Sequence, residues 1–332
     1  TTDFPPAEGM HVLNANARVI EILDERSALL HNSTFRHSYP HCWRCKNPVI
    51  FRATKQWFLS VEHNDLRRRL LKTVNDADKT EWIPEWGKNR ILSMLESRPD
   101  WCLSRQRYWG VPIPILYCEE CDTEHLPDNF DQLLEQIKTK GADVWFLMSP
   151  SDIVPEGARC VKCGNTTFKK ESDIIDVWFD SGVSHQAVLK HDPDLQFPCA
   201  LYLEGSDQHR GWFQTSLITA LALEDRPPFH HVVTHGFTVD GDGKKMSKSA
   251  GNVIAPQDIM KKYGADILRL WVSSCDISQD VRISDDIIKQ MADAYRKIRN
   301  TLRFLLGNLF DFDITTNRVA YKDLDDIDKW AL

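Results

Sequence analysis

The segment Leu201–Phe213 reads Leu-Tyr-Leu-Glu-Gly-Ser-Asp-Gln-His-Arg-Gly-Trp-Phe, and it decides the fold of this chain. Its first three residues predict a buried strand, the following Gly-Ser-Asp predicts a turn, and a helix is expected from about Gln208 to Leu223. A second strand at Val232-Val233 follows that helix. Because strands and helices alternate here, the sequence predicts an α/β fold with a parallel sheet.

The carboxyl ends of these two strands form the expected ligand-binding edge, since open α/β sheets bind ligands there. Gly205 follows the first strand and His235 follows the second. A glycine at a strand-to-helix turn lets backbone approach a nucleotide closely. A simple helix cap by Ser206 or Asp207 is the alternative interpretation of the same turn.

A lysine-rich loop comes after the second strand, where residues 243–249 read Gly-Lys-Lys-Met-Ser-Lys-Ser. Lys245 and Lys248 carry two ammonium groups three residues apart in flexible surroundings. Such a loop suits a triphosphate whose charge must be held while a bond breaks. A solvated turn is the ordinary alternative.

Six of the nine cysteines occur as C-x-x-C pairs, which indicates metal binding rather than disulfides in a cytosolic protein. Cys118 with Cys121 and Cys160 with Cys163 are about forty residues apart. Four thiolates suit a closed tetrahedral zinc site, which is structural rather than catalytic. The alternative is four reduced thiols packed as small apolar side chains.

A third pair, Cys42 and Cys45, has no obvious mate in the sequence. We interpret it as half of a second zinc site whose other half lies outside this sequence. His37 or His41 is the alternative source of further ligands.

Composition limits the class of protein. The chain has 332 residues and a formal net charge of −7, which excludes a protein whose whole surface binds nucleic acid. RNA contacts would need local basic patches. The candidates are Arg67-Arg68-Arg69, Arg105 with Arg107, the loop lysines, and Arg296-Lys297 with Arg299 and Arg303. The sequence has no long uncharged apolar run, so we expect no membrane association and a cytoplasmic location. The polar start without Met is expected of a piece of a longer chain.

Four blocks identify a family by resemblance: Trp101–Pro112 (WCLSRQRYWGVP), Asp176–Gly182 (DVWFDSG), Tyr202–Phe213 (YLEGSDQHRGWF) and Lys245–Ser249 (KMSKS). In this order they resemble class I aminoacyl-tRNA synthetases of the isoleucyl type over nearly the whole chain. The alternatives are a valyl or leucyl type, or a non-catalytic zinc-ribbon module that binds RNA or protein.

The resemblance implies the second half of a Rossmann-like, HUP-type nucleotide-binding domain, with a zinc-ribbon insertion and a following helical segment. It divides the chain into an editing-domain tail (1–45), a catalytic part (46–117), the zinc insertion (118–168), the catalytic half with the lysine loop (169–275) and the start of a helical tRNA-contacting region (276–332).

The implied activity is ATP-dependent activation of L-isoleucine and its transfer to tRNA(Ile), with Mg²⁺ accompanying ATP and a monomeric parent enzyme. The resemblance assigns phosphate contacts to Lys245, Ser247 and Lys248. It assigns the adenylate side of the site to Glu204, Gly205, Asp207, Gln208, His235 and Gly236. Trp178 and Trp212 are expected to be walls of the amino-acid pocket, because flat aromatic rings give a dry slot for a branched side chain.

One motif of the family, His-x-Gly-His, does not occur in this sequence. In the family that motif lies in the first half of the nucleotide-binding fold. We therefore expect half of the ATP site to come from other sequence, and this chain alone to form no isoleucyl-adenylate.

Overall fold

The computed structural model describes residues 4–42, 45–51, 53–127 and 130–332. The chain divides into two compact units between Gln56 and Trp57. In the first unit, residues 12–25 form a helix, and an isolated bridge pairs His41 with Pro48. A 3₁₀ turn over Pro5–Ala7 also lies there, and the other α-helices and strands of the described residues belong to the second unit, which contains the predicted sheet.

The helices in chain order are α1 (Val12–Glu25), α2 (Leu66–Asn75), α3 (Trp86–Glu96), α4 (Phe130–Lys140), α5 (Val144–Leu147), α6 (Pro150–Ile153), α7 (Val177–Gly182), α8 (Trp212–Glu224), α9 (Pro256–Tyr263), α10 (Ala265–Ser274), α11 (Asp285–Asn308) and α12 (Asp326–Ala331). Within the described ranges, none of these helices has both the length and the apolar character that a membrane crossing requires.

The strands are β1 (Phe58–Leu59), β2 (Glu81–Ile83), β3 (Trp101–Cys102), β4 (Ser104–Arg105), β5 (Leu116–Cys118), β6 (Glu124–His125), β7 (Phe168–Lys170), β8 (Ile174–Ile175), β9 (Cys199–Gly205), β10 (Phe229–His235), β11 (Thr238–Val239) and β12 (Val281–Arg282).

The central sheet has the order β2–β10–β9, and both of its pairings are parallel. Helix α8 connects β9 to β10, so the predicted strand–helix–strand unit with a parallel sheet is confirmed. Its buried face carries Tyr202, Val232 and Trp82, which pack with Phe213 and Phe229 in the main core. Apolar burial of this face fixes the register of the strands, because a one-residue slip would turn these side chains outward.

Two details of this unit differ from the sequence-based expectation. The strand predicted as buried is buried on one face only, since Leu201 is 47% and Leu203 51% exposed while Tyr202 is 3% exposed. The predicted helix does not run without a break from Gln208. A 3₁₀ turn over 206–210 ends at Gly211, whose φ of −119° and ψ of −123° are not helical, and α8 begins after it.

The segment between β5 and β7 forms a separate small layer. Strands β6, β5 and β7 pair antiparallel, and a core of its own gathers Leu116, Leu133, Trp145 and Phe168. The predicted short helix near residues 131–138 is confirmed as α4. The Lys170 ammonium group donates a hydrogen bond of 2.6 Å to the Trp145 carbonyl, which ties β7 to α5.

The lysine loop leads into a third packed region. Strand β11 pairs parallel with β12, and helices α9, α10 and α11 share a core that includes Ile267, Trp271 and Ile288. Ser284 caps the N-terminus of helix α11, and its hydroxyl accepts a hydrogen bond of 3.3 Å from the Ile287 amide. The loop is thus anchored at both ends to packed structure.

The main core gives a stability prediction. Phe229 is fully buried between Tyr202 and Trp82, so Phe229→Ala should lower the free energy of unfolding by about 3–5 kcal/mol. Phe304→Ala is the matched control, because that ring is 68% exposed on α11 and its loss should cost less than about 0.5 kcal/mol. Urea denaturation measures both, and equal losses would contradict the assigned core.

Candidate functional site

The expected ligand-binding edge forms where β9 and β10 end side by side. Their register sets His235 opposite Gly205 and Thr234 opposite Glu204. A carboxylate oxygen of Glu204 lies 3.9 Å from Nε2 of His235, and both side chains are partly exposed. The sheet therefore brings together two polar groups that are thirty-one residues apart in the sequence.

The turn after β9 holds Asp207 and Gln208 at the same edge. A Cβ atom at Gly205 would lie 2.8 Å from a carboxylate oxygen of Asp207, so a larger residue here would require the Asp207 side chain to move. The Gln208 amide donates to the Asp207 carboxylate over 3.1 Å, and its oxygen accepts from the Trp212 amide over 2.9 Å. The Gln208 side chain thus caps α8, a role that the sequence-based cap by Ser206 or Asp207 missed.

A buried histidine, His209, packs against the inner side of this turn. His209 is fully buried, and its Nδ1 lies 3.1 Å from the Ser206 carbonyl. Its ring lies near those of Trp82 and Trp86, with centroid distances of 6.1 and 5.7 Å. Burial lowers the pKa of His209, so the ring is neutral and positions the turn without adding charge.

Gly236 is required by a backbone contact. A Cβ atom at Gly236 would lie 2.2 Å from the carbonyl carbon and oxygen of Gln279. The Gly236 amide donates to the Ile277 carbonyl over 2.8 Å, and the Phe237 amide donates to the Asp280 carboxylate over 2.8 Å. The segment that leads to the lysine loop is therefore fixed against residues 277–280.

Asn252 organises the lysine loop. Its side-chain oxygen accepts from the Ser247 amide over 2.9 Å, and its NH₂ group donates to Asp240 over 2.7 Å and to the Lys245 carbonyl over 3.2 Å. The Asp240 carboxylate accepts hydrogen bonds from the Asn252 side chain and from the Lys244 amide. The Asn252 bond, and next the Lys244 bond, hold the pKa of Asp240 below its usual value. The motif predicts neither Asn252 nor Asp240, since they flank it and act on its backbone.

The loop cations are available for an anion. In the described part of the chain, no carboxylate forms an ion pair with Lys245 or Lys248, whereas Lys244 pairs with Asp242 over 3.5 Å. The Ser247 hydroxyl lies 3.2 Å from that of Ser249 and accepts from the Ala250 amide over 3.1 Å. The arrangement presents two ammonium groups on a backbone that is already hydrogen-bonded.

The two expected pocket tryptophans have different surroundings. Trp212 stacks on Tyr202 with ring centroids 3.9 Å apart, and its indole N–H donates to the Ser181 carbonyl over 3.1 Å. Trp178 is 41% exposed on α7. Its ring lies close to Gly211, so both tryptophans adjoin the turn that carries Gln208.

A cleft of about 780 Å³ opens beside Trp178 and is lined by Arg107, Tyr108, Trp109 and Asp180 among others. Tyr108 and Trp109 are almost fully exposed. Burial, and next the nearby Asp176 carboxylate, raise the pKa of Asp180. The cleft combines aromatic rings with two arginines, Arg105 and Arg107.

Arg105 was a candidate for RNA contact, but it has an internal role. Its guanidinium binds the buried Asp176 carboxylate over 2.8 Å. Asp176 also accepts from the Trp101 indole over 3.0 Å and caps α7 through the Trp178 amide. This network makes Arg105 a poor candidate for contacting phosphate.

The arginines of α2 are also occupied. Arg67 donates to the Arg98 carbonyl over 2.6 Å and to the Glu96 carbonyl over 3.1 Å, so it caps the end of α3. Arg69 donates to the Leu221 carbonyl over 2.8 Å and binds Asp225. The proposed basic patch at residues 67–69 is therefore largely structural.

The four cysteines of the insertion converge. The sulfur atoms of Cys118, Cys121, Cys160 and Cys163 all lie within 4.8 Å of one another. Each pair forms the same turn, because the amide four residues after the first cysteine donates to that cysteine's carbonyl over 2.9 Å. That fourth residue has positive φ in both turns, 54° at Asp122 and 76° at Gly164.

The chemistry of this cluster fits a metal ion. Burial alone would raise the pKa of Cys118, yet hydrogen bonds from the backbone of Cys121 and Glu120 lower it to about 6. The hydrogen bond from the Asn165 backbone lowers the pKa of Cys163, but burial and its contacts with the other three sulfur atoms outweigh that bond and raise the pKa to about 12. A thiolate that is already favoured at neutral pH is the form that binds metal. Four sulfur ligands would leave no open position on a tetrahedral ion bound here, which is the pattern of a structural site.

The third cysteine pair shows no comparable cluster. Within the described ranges, no group of three or more possible metal ligands includes Cys42 and Cys45. Nδ1 of His37 lies 3.0 Å from the Ser38 carbonyl, and Nδ1 of His41 lies 2.8 Å from that of Tyr39. Completion of the site by either histidine therefore stays a prediction, because these contacts occupy only one nitrogen of each ring. The two residues between the cysteines lie outside the described residues.

Comparison with known proteins gives one family. The family model described as tRNA synthetases class I (I, L, M and V) matches residues 13–284. An isoleucine–tRNA ligase of Caldanaerobacter subterraneus subsp. tengcongensis is 54% identical over 333 residues, covering 100% of this chain and 35% of that relative. The isoleucine–tRNA ligase of Geobacter sulfurreducens is 53% identical over 326 residues, covering 98% of this chain and 35% of that relative.

The chain therefore spans about a third of the length of the curated relatives it matches. A solved Mycobacterium tuberculosis methionyl-tRNA synthetase bound by methionyl-adenylate is similar with a TM-score of 0.49 and 19% identity, covering 76% of this chain and 40% of that one.

The loop analysis yields a prediction about Asn252. Asn252→Ala removes three hydrogen bonds, which should cost about 1.4 kcal/mol and make loop opening roughly tenfold more frequent. Trypsin cleavage after Lys245 or Lys248 should accelerate by a similar factor. Asn300→Ala, at an exposed position of α11, is the control. Unchanged cleavage in Asn252→Ala would contradict the assigned role.

Proposed function

We propose that this chain, which belongs to the class I tRNA synthetases of the isoleucine, leucine, methionine and valine group, forms part of an enzyme that attaches L-isoleucine to tRNA(Ile) at the expense of ATP. The family membership inferred from four sequence motifs is confirmed by the match over residues 13–284. The choice of isoleucine rests on relatives of 53–54% identity that are isoleucine–tRNA ligases.

The observation that carries the proposal is the shared edge of β9 and β10, together with a following loop whose two lysines, Lys245 and Lys248, pair with no carboxylate among the residues that the structure describes. In the first step, an oxygen of the isoleucine carboxylate attacks the α-phosphorus of ATP, and the bond to pyrophosphate breaks. Charge accumulates on the departing phosphates, where Lys245 and Lys248 stabilise it and Ser247 donates a hydrogen bond. Mg²⁺ accompanies the ATP phosphates.

The edge of the sheet binds the rest of the nucleotide. Glu204 and Gln208 face the aminoacyl-adenylate, Asp207 accepts hydrogen bonds from the ribose hydroxyls, and His235 with Gly236 borders the adenosine. Because Gly205 has no side chain, the nucleotide can approach the backbone closely at this edge. No protein nucleophile is needed, because catalysis here is positioning and charge neutralisation.

In the second step, a hydroxyl of the terminal tRNA ribose attacks the isoleucyl carbonyl, and AMP leaves. The cleft beside Trp178 is our candidate route for this tRNA end, because exposed aromatic rings stack on unpaired bases and arginine binds phosphate. Arg107, Tyr108 and Trp109 would make these contacts. Trp178 and Trp212 would enclose the amino-acid side chain.

The alternatives have less support. A valyl or leucyl enzyme would share the edge and the loop, but the relatives described above are isoleucine enzymes. An independent zinc-ribbon module would occupy only the segment around residues 118–168, whereas the family match extends over residues 13–284. The metal cluster is better explained as a structural insertion within the synthetase.

The first test is ATP–pyrophosphate exchange by the full-length enzyme that contains this segment. Isoleucine should support exchange better than valine or leucine, and Lys245→Ala with Lys248→Ala should lower kcat roughly a thousandfold, because both cations act on the leaving group. Lys244→Ala is the matched control from the same loop and should stay within about twofold. Full activity of the double variant would refute the proposed role of the loop.

The second test concerns the metal. We propose that the four-cysteine cluster holds one Zn²⁺, since four sulfur donors suit tetrahedral zinc. Metal analysis of the 332-residue chain should give one zinc ion per chain. The double variant Cys118→Ser with Cys160→Ser should lose this zinc and melt at a lower temperature. Cys199→Ser, outside the cluster, should retain it. Two tightly bound zinc ions per chain would contradict the half-site interpretation of Cys42 and Cys45.

A further inference from the structure

Gly211 occupies an unusually crowded position between the Asp207–Gln208 turn and α8. A Cβ atom there would lie 2.5 Å from the side-chain oxygen of Gln208 and 2.9 and 3.0 Å from two ring carbons of Trp178. Real Cβ atoms do not make contacts this short. The side chains of Gln208 and Trp178 can therefore occupy their present positions only because residue 211 has no side chain. Backbone angles of −119° and −123° also separate it from the helix that follows.

Trp178 has little freedom to retreat from Gly211 by movement of its helix. At the other end of α7, a Cβ atom on Gly182 would lie 3.1 Å from the Thr215 carbonyl oxygen, so the backbones of α7 and α8 are in close contact. The Thr219 hydroxyl donates to the Gly182 carbonyl over 2.7 Å. Helix α7 is therefore held on α8, and a larger residue 211 must displace the Trp178 ring itself.

The same glycine also controls the Gln208 amide. The Gln208 oxygen accepts from the Trp212 amide over 2.9 Å, directly across the space that a side chain on residue 211 would fill. A methyl group at residue 211 would break this cap or turn the amide. Gly211 thus sits where one side chain proposed to face the adenylate meets one proposed to enclose the amino acid.

We infer that Gly211 is a specificity-determining positioning residue: its missing side chain sets the positions of Trp178 and Gln208, and through them the shape of the slot for the amino-acid side chain. The inference rests on the proposed isoleucine-activating function. It assigns no direct contact with substrate to Gly211. A change in the width of this slot weakens the binding of isoleucine more than that of valine. If the slot narrows, the extra methylene of isoleucine clashes with its walls; if the slot widens, that methylene loses its contacts.

The test is Gly211→Ala in the full-length enzyme, measured by ATP–pyrophosphate exchange with isoleucine and with valine. Overpacking by one methyl group should raise the KM for isoleucine roughly tenfold or more, and should raise it more than the KM for ATP. The preference for isoleucine over valine in kcat/KM should fall. Gly307→Ala is the matched control, because a Cβ atom there meets nothing within 4 Å.

A compensating variant keeps the test informative if Gly211→Ala folds poorly. Trp178→Phe removes part of the ring that an added methyl group would meet. The double variant Gly211→Ala with Trp178→Phe should therefore discriminate valine better than Gly211→Ala, or recover folding that the single variant loses.

Three results would overturn the inference while leaving the proposed function intact. The first is Gly211→Ala kinetics equal to those of Gly307→Ala, and the second is an equal increase in the KM values for isoleucine and ATP. The third is a double variant that recovers neither discrimination against valine nor folding. Absence of isoleucine-dependent exchange in the unmodified full-length enzyme would instead refute the proposed function, and the inference with it.

Discussion

The parallel pairing of β9 with β10 is the constraint on which the rest of this structure depends. Because the two strands run in the same direction and in register, Gly205 and His235 end at the same edge. Burial of Tyr202 and Val232 on one face of the sheet holds that register. The turn that carries Asp207 follows the end of β9, and the segment that leads to the lysine loop follows the end of β10.

Close backbone approach and side-chain-to-backbone hydrogen bonds complete the site around this edge. Gly236 lets residues 277–280 press against the strand that leads to the loop, and Asn252 ties the loop backbone together. The charged groups with a proposed chemical role, Lys245 and Lys248, form no ion pairs in the described residues, whereas Arg105 is bound by Asp176. Preorganised but uncompensated charge is what stabilisation of a leaving phosphate requires.

The sequence predicted the parallel sheet, the turn and the metal cluster because each depends on a short local pattern. Turn residues, alternating strands and C-x-x-C spacing are visible without knowing what packs where. Burial was harder to predict: Leu201 and Leu203 look like core residues, but the sheet is covered on the Tyr202 face only. The break at Gly211 was also missed, because it depends on Gln208 capping α8 across the turn.

Long-range partners account for the remaining differences. Nothing near Arg105 or Arg67 in the sequence shows that their guanidinium groups bind Asp176 and the end of α3. Likewise, Asn252 lies outside the KMSKS motif yet binds its backbone, and Asp240 binds the Asn252 side chain. Motifs thus indicated which residues carry the proposed chemistry, and only the folded chain showed which residues position them.

The central claim is that Lys245 and Lys248 hold the phosphates of ATP beside the β9–β10 edge. Its most direct measurement is covalent labelling of the full-length enzyme with an amine-reactive pyridoxal derivative of a nucleotide polyphosphate, followed by peptide mass spectrometry. The account predicts modification of Lys245 or Lys248 and protection of both by ATP or pyrophosphate. Protectable labelling confined to lysines elsewhere in the enzyme would contradict it.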